Sequence, residues 1–216
     1  MISRRHFVAA GFSAGATAFV SPLLKGARAD GRLAPTPAQP IGPFYPVALR
    51  AEHDNDLSRV AGASDAAGQI VHVLGTVRNT DGAPLVGARI EIWQCDAGGY
   101  YHHPDDRGGE AADPRFQGYG TMLTAADGAY RFRTIHPVPY TGRTPHIHVI
   151  VSGPGLRRLV TQLYVAGAPT NVHDGLFSRL DAHEQARLLV DFQPVPGIES
   201  NARVGRFDIV VEHGAV

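Results

Sequence analysis

The sequence predicts an all-β protein: an antiparallel β-sandwich with an extended N-terminal arm and one short helix. Short segments rich in Val, Ile and other strand-forming residues recur from residue 69 onward, about 8 to 12 residues apart. Turn signals rich in Gly and Asp separate these segments. Only one stretch, SRLDAHEQARLLVDF, has apolar residues at helical spacing, and it is short.

The first 29 residues have the layout of an export signal. Arg4 and Arg5 precede an apolar run of small residues at 8–24, and residues 27–29 (Ala-Arg-Ala) form an A-x-A cleavage pattern. The paired arginines make the signal a twin-arginine variant. We expect cleavage after Ala29 and a periplasmic or secreted location. The alternative is a membrane anchor, which the glycines and serines in the run and the cleavage pattern disfavour.

Residues 30–68 are predicted to form an extended arm. Prolines are spaced along this segment and exclude both a regular helix and a central strand. Its one strongly apolar patch is IGPFYP, residues 41–46. A disordered linker is the alternative, but clustered Ile, Phe and Tyr indicate that the patch docks on the rest of the protein.

The predicted strands of the sandwich, residues 69–216, lie in six segments. They are IVHVLGTV, RIEIWQC, GTMLTAADGAYRFRTI, HIHVIVSG, RRLVTQLYVAG and RVGRFDIVVE. In RIEIWQC, Ile90 and Ile92 alternate with Glu91, which is the period of two that a strand shows. The third segment predicts two strands joined in a tight hairpin at residues 126–128 (Ala-Asp-Gly).

Composition and charge exclude several classes of partner. Lys and Arg number 20, as do Asp and Glu, and the leader contains four of the basic residues and none of the acidic ones. The remaining chain is therefore slightly acidic, and we expect no nucleic-acid partner and no membrane association after cleavage. Cys95 is the only cysteine, so no disulfide forms within the chain. Both Cys95 and Trp93 are predicted to be core residues of a strand.

The segment RTPHIHV, residues 143–149, carries a candidate metal site. Successive side chains of a strand point to opposite faces, so His146 and His148 share one face and Ile147 takes the other. Two imidazoles placed in this way have two explanations. Either they hold a metal ion, or one of them is an ordinary polar residue near the surface of the sheet.

Two tyrosines extend this candidate site. Tyr101 follows a strand in a loop loosened by two glycines, and Tyr140 ends IHPVPY, six residues before His146. Phenolate and neutral imidazole together suit ferric iron better than zinc or calcium. The alternatives are that the tyrosines are rim aromatics, or that copper or zinc binds the histidines alone. Five other histidines are predicted to face solvent: His102, His103, His136, His173 and His183.

Four sequence motifs resemble those of a known family and occur in the same order along the chain. The segments IEIWQCDAGGYYHH, GAYRFRTIHPVPY, RTPHIHV and LVTQLYVAG resemble the intradiol ring-cleavage dioxygenases, and among them the protocatechuate 3,4-dioxygenase β-type chains. The matching order runs from IGPFYP near residue 41 to RFDIVV near residue 206. HIH alone is a weak signal, whereas the ordered set is specific.

The resemblance implies a set of metal ligands. Tyr101 falls on the family's permanent tyrosinate ligand, and Tyr140 on the tyrosinate that leaves the iron when substrate binds. His146 and His148 match the two histidine ligands. The implied cofactor is non-haem Fe(III).

The resemblance also implies a substrate site and an activity. Arg143 matches an arginine that leans over the bound ring, Gln162 a glutamine lining the same pocket, and Tyr45 an arm position near the substrate mouth. The implied partners are an aromatic diol and O2, and the implied reaction opens the ring between its two hydroxyl-bearing carbons to give a muconate-type diacid. Arg143 and Gln162, with Tyr140, are thus the expected catalytic residues.

Two departures from the family pattern bear on substrate and assembly. Only Thr141 and Gly142 separate Tyr140 from Arg143, where the β-type chains carry a longer loop, so we expect a more open pocket. The helical and loop segment after Ala166 is also short, so we expect the contacts between subunits to differ from those of the family. We expect a homo-oligomer, most simply a dimer, with a second chain type as the alternative. An exported transthyretin-like structural or binding module, without redox activity, is the rival function.

Overall fold

The computed structural model describes residues 31–49, 52–107 and 111–214. Within these ranges the protein is mostly β-sheet, with two five-stranded sheets and one short α-helix. The mostly-β prediction is therefore confirmed. The predicted export signal and its cleavage point lie outside the described residues.

The strands are short, and most coincide with the predicted segments. In chain order they are β1 (Ile70–Asn79), β2 (Arg89–Trp93), β3 (Tyr119–Leu123), β4 (Ala129–Ile135), β5 (His146–Ser152), β6 (Leu159–Val165), β7 (Leu189–Val190), β8 (Gln193–Pro194), β9 (Arg203–Arg206) and β10 (Ile209–Val211). The helix α1 (Ala182–Leu188) precedes β7 and follows two 3-10 turns, at Asn171–His173 and Phe177–Arg179.

Two sheets enclose one apolar core. In the first sheet β4 pairs with one edge of β1, β9 and β10 pair with its other edge, and β8 pairs with β9. The second sheet has the order β3-β2-β5-β6-β7. Val73 and Phe132 from the first sheet and Ile92 and Val149 from the second belong to the same buried cluster. This is the arrangement of a β-sandwich.

The predicted sandwich is confirmed, but its sheets are mixed where the prediction was antiparallel. β1 pairs in parallel with β9 and with β10, and β6 pairs in parallel with β7. Parallel strands need a long connection between them, and most of the chain lies between β1 and β9. The alternation of residues within one strand carries no information about such distant partners.

The predicted hairpin at residues 126–128 is also wrong, although its turn forms. The N–H of Gly128 donates to the carbonyl oxygen of Ala125, and Gly128 has a φ of 76°. The flanking strands then separate, because β3 pairs with β2 and β4 pairs with β1 in the other sheet. β4 pairs with β1 along its whole length, and this pairing is more favourable than the local β3–β4 pairing that the turn permits.

The short helix is confirmed and has a complete N-cap. The Asp181 side chain accepts from the N–H of Glu184, and the Glu184 side chain accepts from the N–H of Asp181. No helix within the described ranges has both the length and the apolar composition needed to cross a lipid bilayer.

The second sheet is buried on both faces, which decides where the candidate site lies. Ile147 and Val149 of β5 pack into the core between the sheets. His146 and His148 lie on the opposite face, where His148 stacks on Trp93. The prediction that the two histidines share a face is confirmed.

The arm covers this outer face as an extended chain. The N–H groups of Thr36 and Gln39 donate to the carbonyl oxygens of Val210 and Val160. Phe44 then packs against the aromatic cluster of the outer face. The arm thereby excludes water from residues that an open sheet would expose.

Candidate metal centre and active site

The two histidines face each other on the outer face of β5. Nε2 of His146 lies 3.1 Å from Nε2 of His148, and each residue is 1% exposed. Nδ1 of His146 donates to the carbonyl oxygen of Thr144 at 2.6 Å, since a carbonyl oxygen can only accept. In its neutral form, His146 therefore directs the lone pair of Nε2 toward His148.

Two tyrosine rings complete this group. The ring centroid of Tyr140 lies 5.3 Å from that of Tyr101 and 5.4 Å from that of His146. The ring of Tyr101 lies 6.3 Å from that of His148. The structure brings the four predicted ligands together, and we refer to these four residues as the ligand cluster.

A glycine lets the two tyrosine loops approach each other. The Asp96 carboxylate accepts from two N–H groups of the loop that leads to Tyr101, which fixes its turn. Gly99 in this loop has a φ of 83°, and a Cβ there would lie 3.2 Å from the carbonyl oxygen of Pro139. Only glycine combines this backbone conformation with such close contact to the segment that carries Tyr140.

Two buried polar atoms of the ligand cluster have no hydrogen-bond partner among the described residues. They are the hydroxyl oxygen of Tyr101 and Nδ1 of His148. Burial raises the pKa of Tyr101 well above its ordinary value, lowers the pKa of His146 to about 4, and lowers the pKa of His148 well below its ordinary value. An unsatisfied buried polar group costs about 1–3 kcal/mol. A cation beside the hydroxyl oxygen of Tyr101 would stabilise the Tyr101 phenolate.

The donor set fits a ferric ion. The facing Nε2 atoms of His146 and His148 lie 3.1 Å apart, which is close enough for both to bind one ion. Within the described ranges no three His, Cys, Asp or Glu side chains converge as a metal site. Further ligands would therefore be the phenolates of Tyr101 and Tyr140, which suit Fe(III).

Arg143 and Gln162 lie beside the ligand cluster and bind each other. Nη2 of Arg143 donates to Oε1 of Gln162 at 2.6 Å. Gln162 lies opposite His148 in the β5–β6 register, and its Nε2 donates to the carbonyl oxygen of Pro40 in the arm at 3.0 Å. Gln162 thus connects the arm, the arginine and the strand that carries the histidines.

Asp174 is a buried residue of the site that the sequence analysis missed. Its side chain is 0% exposed, and Oδ2 accepts from Nε of Arg143 at 2.8 Å and from the N–H of Thr144 at 3.0 Å. Oδ1 accepts from the N–H groups of Leu176 and Phe177. Burial acts to raise the pKa of Asp174, but the N–H donors and Arg143 hold it below its ordinary value. No local pattern in the sequence indicates this contact.

The arm reaches the ligand cluster through Phe44, which the sequence analysis did not single out. The Phe44 ring stacks on Tyr101 with centroids 4.8 Å apart, and its centroid lies 5.9 Å from that of Tyr140. The neighbouring Tyr45 donates its hydroxyl to Oε2 of Glu91 at 2.8 Å. Contact between Tyr45 and a substrate therefore stays a prediction, and Phe44 is the arm residue that packs on the tyrosines.

Trp93 and Cys95 are buried, as predicted for core residues. The Trp93 indole also lies parallel to the His148 ring, with centroids 4.6 Å apart and an interplanar angle of 8°. This stacking fixes the plane of the imidazole. Burial raises the pKa of Cys95 to about 12, so its thiol stays protonated near neutral pH.

The expectation that five further histidines face solvent is wrong for His103. His173 and His183 are exposed, and His102 and His136 are half-buried. His103 is 6% exposed and packs edge-on against Phe44. The loop after Tyr101 folds beneath the arm and thereby buries His103.

Two cavities open next to the ligand cluster. The first, which we call the Arg143 cavity, has a volume of about 280 Å³ and is bounded by Pro139, Tyr140, Gly142, Arg143, Thr144, Thr170, His173 and Asp174. The second, the Tyr101 cavity, has a volume of only about 30 Å³ and lies between Tyr101, Trp93 and the arm residues Phe44, Leu49 and Glu52. Of the two, only the Arg143 cavity approaches the volume of a site for a single aromatic ring.

The chain is similar to proteins of one family along most of its length. Residues 41–213 match the family described as Dioxygenase. A hydroxyquinol 1,2-dioxygenase of Corynebacterium glutamicum is 34% identical over 207 residues, which cover 83% of this chain and 64% of the relative. A protocatechuate 3,4-dioxygenase beta chain of Burkholderia cepacia is 34% identical over 167 residues, which cover 73% of this chain and 71% of the relative.

A solved structure shows the same fold. The dioxygenase domain of a dioxygenase and carbohydrate-binding protein fusion from Streptomyces sp. SirexAA-E superimposes with a TM-score of 0.63 at 32% identity, covering 84% of this chain and 100% of that chain. The chain spans 64% of the length of the Corynebacterium relative. The family match over residues 41–213 shows that this chain belongs to the dioxygenase family.

Proposed function

We propose that this protein is a non-haem Fe(III)-dependent intradiol dioxygenase. It cleaves the ring of a catechol-type aromatic between the two hydroxyl-bearing carbons with O2 and releases a muconate-type diacid. One observation carries the proposal: two phenols and two imidazoles meet in a buried cluster with the Nε2 atoms 3.1 Å apart. Relatives named hydroxyquinol and protocatechuate dioxygenases support it.

The iron ligands would be Tyr101, Tyr140, His146 and His148. When bound, a ferric ion supplies a Lewis-acid centre for both catechol oxygens and makes the ring reactive toward O2.

Tyr140 is the residue placed to accept a substrate proton. It lines the Arg143 cavity, whereas Tyr101 is buried. Burial raises the pKa of Tyr140, and the nearby Arg143 opposes that rise. The Tyr140 phenolate would therefore be a base strong enough to take the second catechol proton on its phenolate oxygen.

Arg143 stabilises negative charge that develops on the substrate ring. The buried Asp174 carboxylate and the Gln162 amide fix its guanidinium, so little reorganisation is needed during the reaction. Phe44 and the rest of the arm exclude water from the tyrosines, which strengthens these electrostatic interactions.

The rival functions explain the cluster less well. A structural or binding module has no need for a buried tyrosine hydroxyl without a partner among the described residues. A copper or zinc site using the histidines alone would leave the Tyr101 hydroxyl unsatisfied. Both rivals predict that changing Tyr101 leaves metal binding unaltered.

The test is a visible absorption spectrum of the iron-loaded protein before and after anaerobic addition of catechol. We expect a broad phenolate-to-iron band that moves to longer wavelength when catechol binds. Tyr100→Phe serves as a control, because Tyr100 is partly exposed and lies outside the ligand cluster. A featureless spectrum from folded, iron-loaded protein would reject the proposal.

Three further features belong to the same proposal. The sandwich is of the transthyretin type and is extended by the N-terminal arm. The protein forms a homodimer, and a second chain type is the alternative that gel filtration and light scattering would detect. It is exported by the twin-arginine route, which cell fractionation and sequencing of the mature N-terminus would test.

A further inference from the structure

We propose that the hydrogen bond between Tyr45 and Glu91 holds the arm in place over the ligand cluster, which makes these two residues positioning residues for the metal centre. Neither residue belongs to the ligand cluster or lines the Arg143 cavity. Both act through residues that touch the ligands. This inference rests on the proposed function and deepens it by naming what keeps the candidate site in shape.

The arm touches three of the four residues of the ligand cluster. The Phe44 ring stacks on Tyr101 with centroids 4.8 Å apart, and its centroid lies 5.9 Å from that of Tyr140. Gly42 lies so close to His148 that an added Cβ would be 3.1 Å from Cε1 of the imidazole. The placement of this part of the arm therefore bears directly on the placement of the ligands.

Tyr45 also acts on a histidine ligand through Trp93. The ring centroids of Tyr45 and Trp93 lie 5.1 Å apart with an interplanar angle of 88°, which is the edge-to-face geometry that aromatic pairs favour. Trp93 in turn stacks on His148 with centroids 4.6 Å apart. Tyr45 thus packs against the residue that fixes the plane of the His148 imidazole.

A single hydrogen bond ties this part of the arm to the sandwich. Earlier in the arm, the N–H groups of Thr36 and Gln39 donate to carbonyl oxygens of β10 and β6. From residue 41 to residue 49 the chain forms neither strand nor helix. Within the described ranges, its only hydrogen bond to the sandwich there is the one that the Tyr45 hydroxyl donates to Oε2 of Glu91 at 2.8 Å. Loss of this bond would leave the segment held by packing alone.

Glu91 is a strong and well-fixed acceptor. It lies on β2 and is 9% exposed. Its Oε2 also accepts from the hydroxyl of Tyr119 at 2.7 Å, and its Oε1 lies 3.5 Å from Nε of Arg89. A hydrogen bond to a carboxylate is roughly twice as strong as one between neutral groups. Because Glu91 is nearly buried, water cannot readily take the place of Tyr45 as a donor, and the bond is costly to break.

Tyr45 and Tyr119 form a matched pair for the test. Both phenols donate to the same carboxylate oxygen, at 2.8 and 2.7 Å. Tyr45 lies on the arm, whereas Tyr119 lies on β3 of the sandwich. Tyr45→Phe and Tyr119→Phe therefore remove the same kind of hydrogen bond from Glu91, but only Tyr45→Phe releases the arm.

The first measurement needs no iron. Trp93 is the only tryptophan of the chain and is 1% exposed, so quenching of its fluorescence by acrylamide reports how often the arm opens in the metal-free full chain. Tyr45→Phe should raise the quenching constant at least about 2-fold, because loss of the hydrogen bond favours local opening. Tyr119→Phe should stay close to the parent protein. Equal quenching in the two variants would overturn the inference, whether or not the protein binds iron.

The second measurement follows the loss of the visible band when the iron-loaded full chain is mixed with excess chelator. Tyr45→Phe should lose iron at least about 10-fold faster than the parent protein, which is the effect of one charge-assisted hydrogen bond. Tyr119→Phe should remain within about 2-fold of the parent. Increased quenching with unchanged iron loss in Tyr45→Phe would show that the arm does not position the ligands, and would overturn the inference. A parent protein with no visible band and no response to catechol would instead overturn the proposed function.

Discussion

Arg143 and Asp174, 31 residues apart in the chain, form an ion pair with Nε and Oδ2 2.8 Å apart. Arg143 comes from the turn before β5, and Asp174 from the segment between β6 and α1. The pair joins the substrate side of the candidate site to a part of the chain that contains none of the proposed ligands. Several consequences of this and neighbouring contacts can be measured.

Removal of the Asp174 carboxylate should destabilise the fold as well as the site. Asp174→Ala leaves the Arg143 guanidinium half-buried without its partner and removes the acceptor of two backbone N–H groups in the following turn. Breaking a buried ion pair on one side costs about 3–5 kcal/mol. Urea unfolding of the metal-free protein should show this loss. Asp191→Ala, at an exposed carboxylate, is the control and should change stability by less than about 0.5 kcal/mol. An equally small effect at Asp174 would contradict the role assigned to the pair.

The two tyrosines of the ligand cluster should respond differently to loss of their hydroxyls. Tyr101→Phe should lose iron or shift the colour of the protein, because its buried oxygen has no other partner among the described residues. Tyr140→Phe should keep iron but slow catechol turnover by about 100-fold or more, since it lacks the proton acceptor. Metal content, visible spectra and oxygen uptake measure these effects. Full activity in both variants would reject the assignment of the cluster.

Gly42 should be required for the position of His148. It has a φ of 77°, and an added Cβ would lie 3.1 Å from Cε1 of the His148 ring. Gly42→Ala should therefore weaken iron binding, in addition to a backbone penalty of about 1–2 kcal/mol. Gly167→Ala is a matched control, because Gly167 has a φ of 74° and no atom within 4 Å of its added Cβ. Equal iron affinity in the two variants would show that the contact with His148 is unimportant.

Acid should unfold the protein partly through a network on the first sheet. Arg133 donates to Glu199 at 2.7 Å, and Glu199 accepts from Nε2 of the buried His72 at 2.8 Å. Hydrogen bonding to Arg133 is the main cause that lowers the pKa of Glu199 to about 2, while burial lowers the pKa of His72.

Both shifts act in the same direction. In the unfolded chain, His72 takes up its proton below a pH of about 6.5 and Glu199 below a pH of about 4.5, whereas in the folded protein both take it up at lower pH. The unfolded chain therefore binds more protons in these ranges, and the stability of the folded protein decreases as the pH falls through them. Because Glu199 is partly exposed, solvent screening reduces its contribution to the free energy of unfolding to about 1 kcal/mol. Urea unfolding between pH 7 and pH 3 should show a shallower decline for Glu199→Gln than for the parent protein. Parallel curves for the two proteins would assign the acid sensitivity to other groups.

The sequence by itself determined the features that depend on local periodicity. The alternation in HIHV places His146 and His148 on one face, because a strand has a period of two wherever it lies in a fold. The glycines before Tyr101, the spacing of Arg143 from His146 and the capping residues of α1 are likewise properties of short segments. These were enough to predict an all-β protein and a pair of histidines on one strand face, whereas the resemblance to a known family supplied the assignment of the four residues of the ligand cluster.

Only the tertiary structure decided which distant segments meet. The parallel pairing of β1 with β9 and β10, the separation of β3 from β4 into different sheets, the contact of Phe44 with Tyr101 and the pairing of Arg143 with Asp174 all join residues without a shared local pattern. Such contacts form because burial of apolar surface and satisfaction of buried polar groups are optimised over the whole chain at once. The ion pair of Arg143 with Asp174 beside the candidate site is a property of that kind.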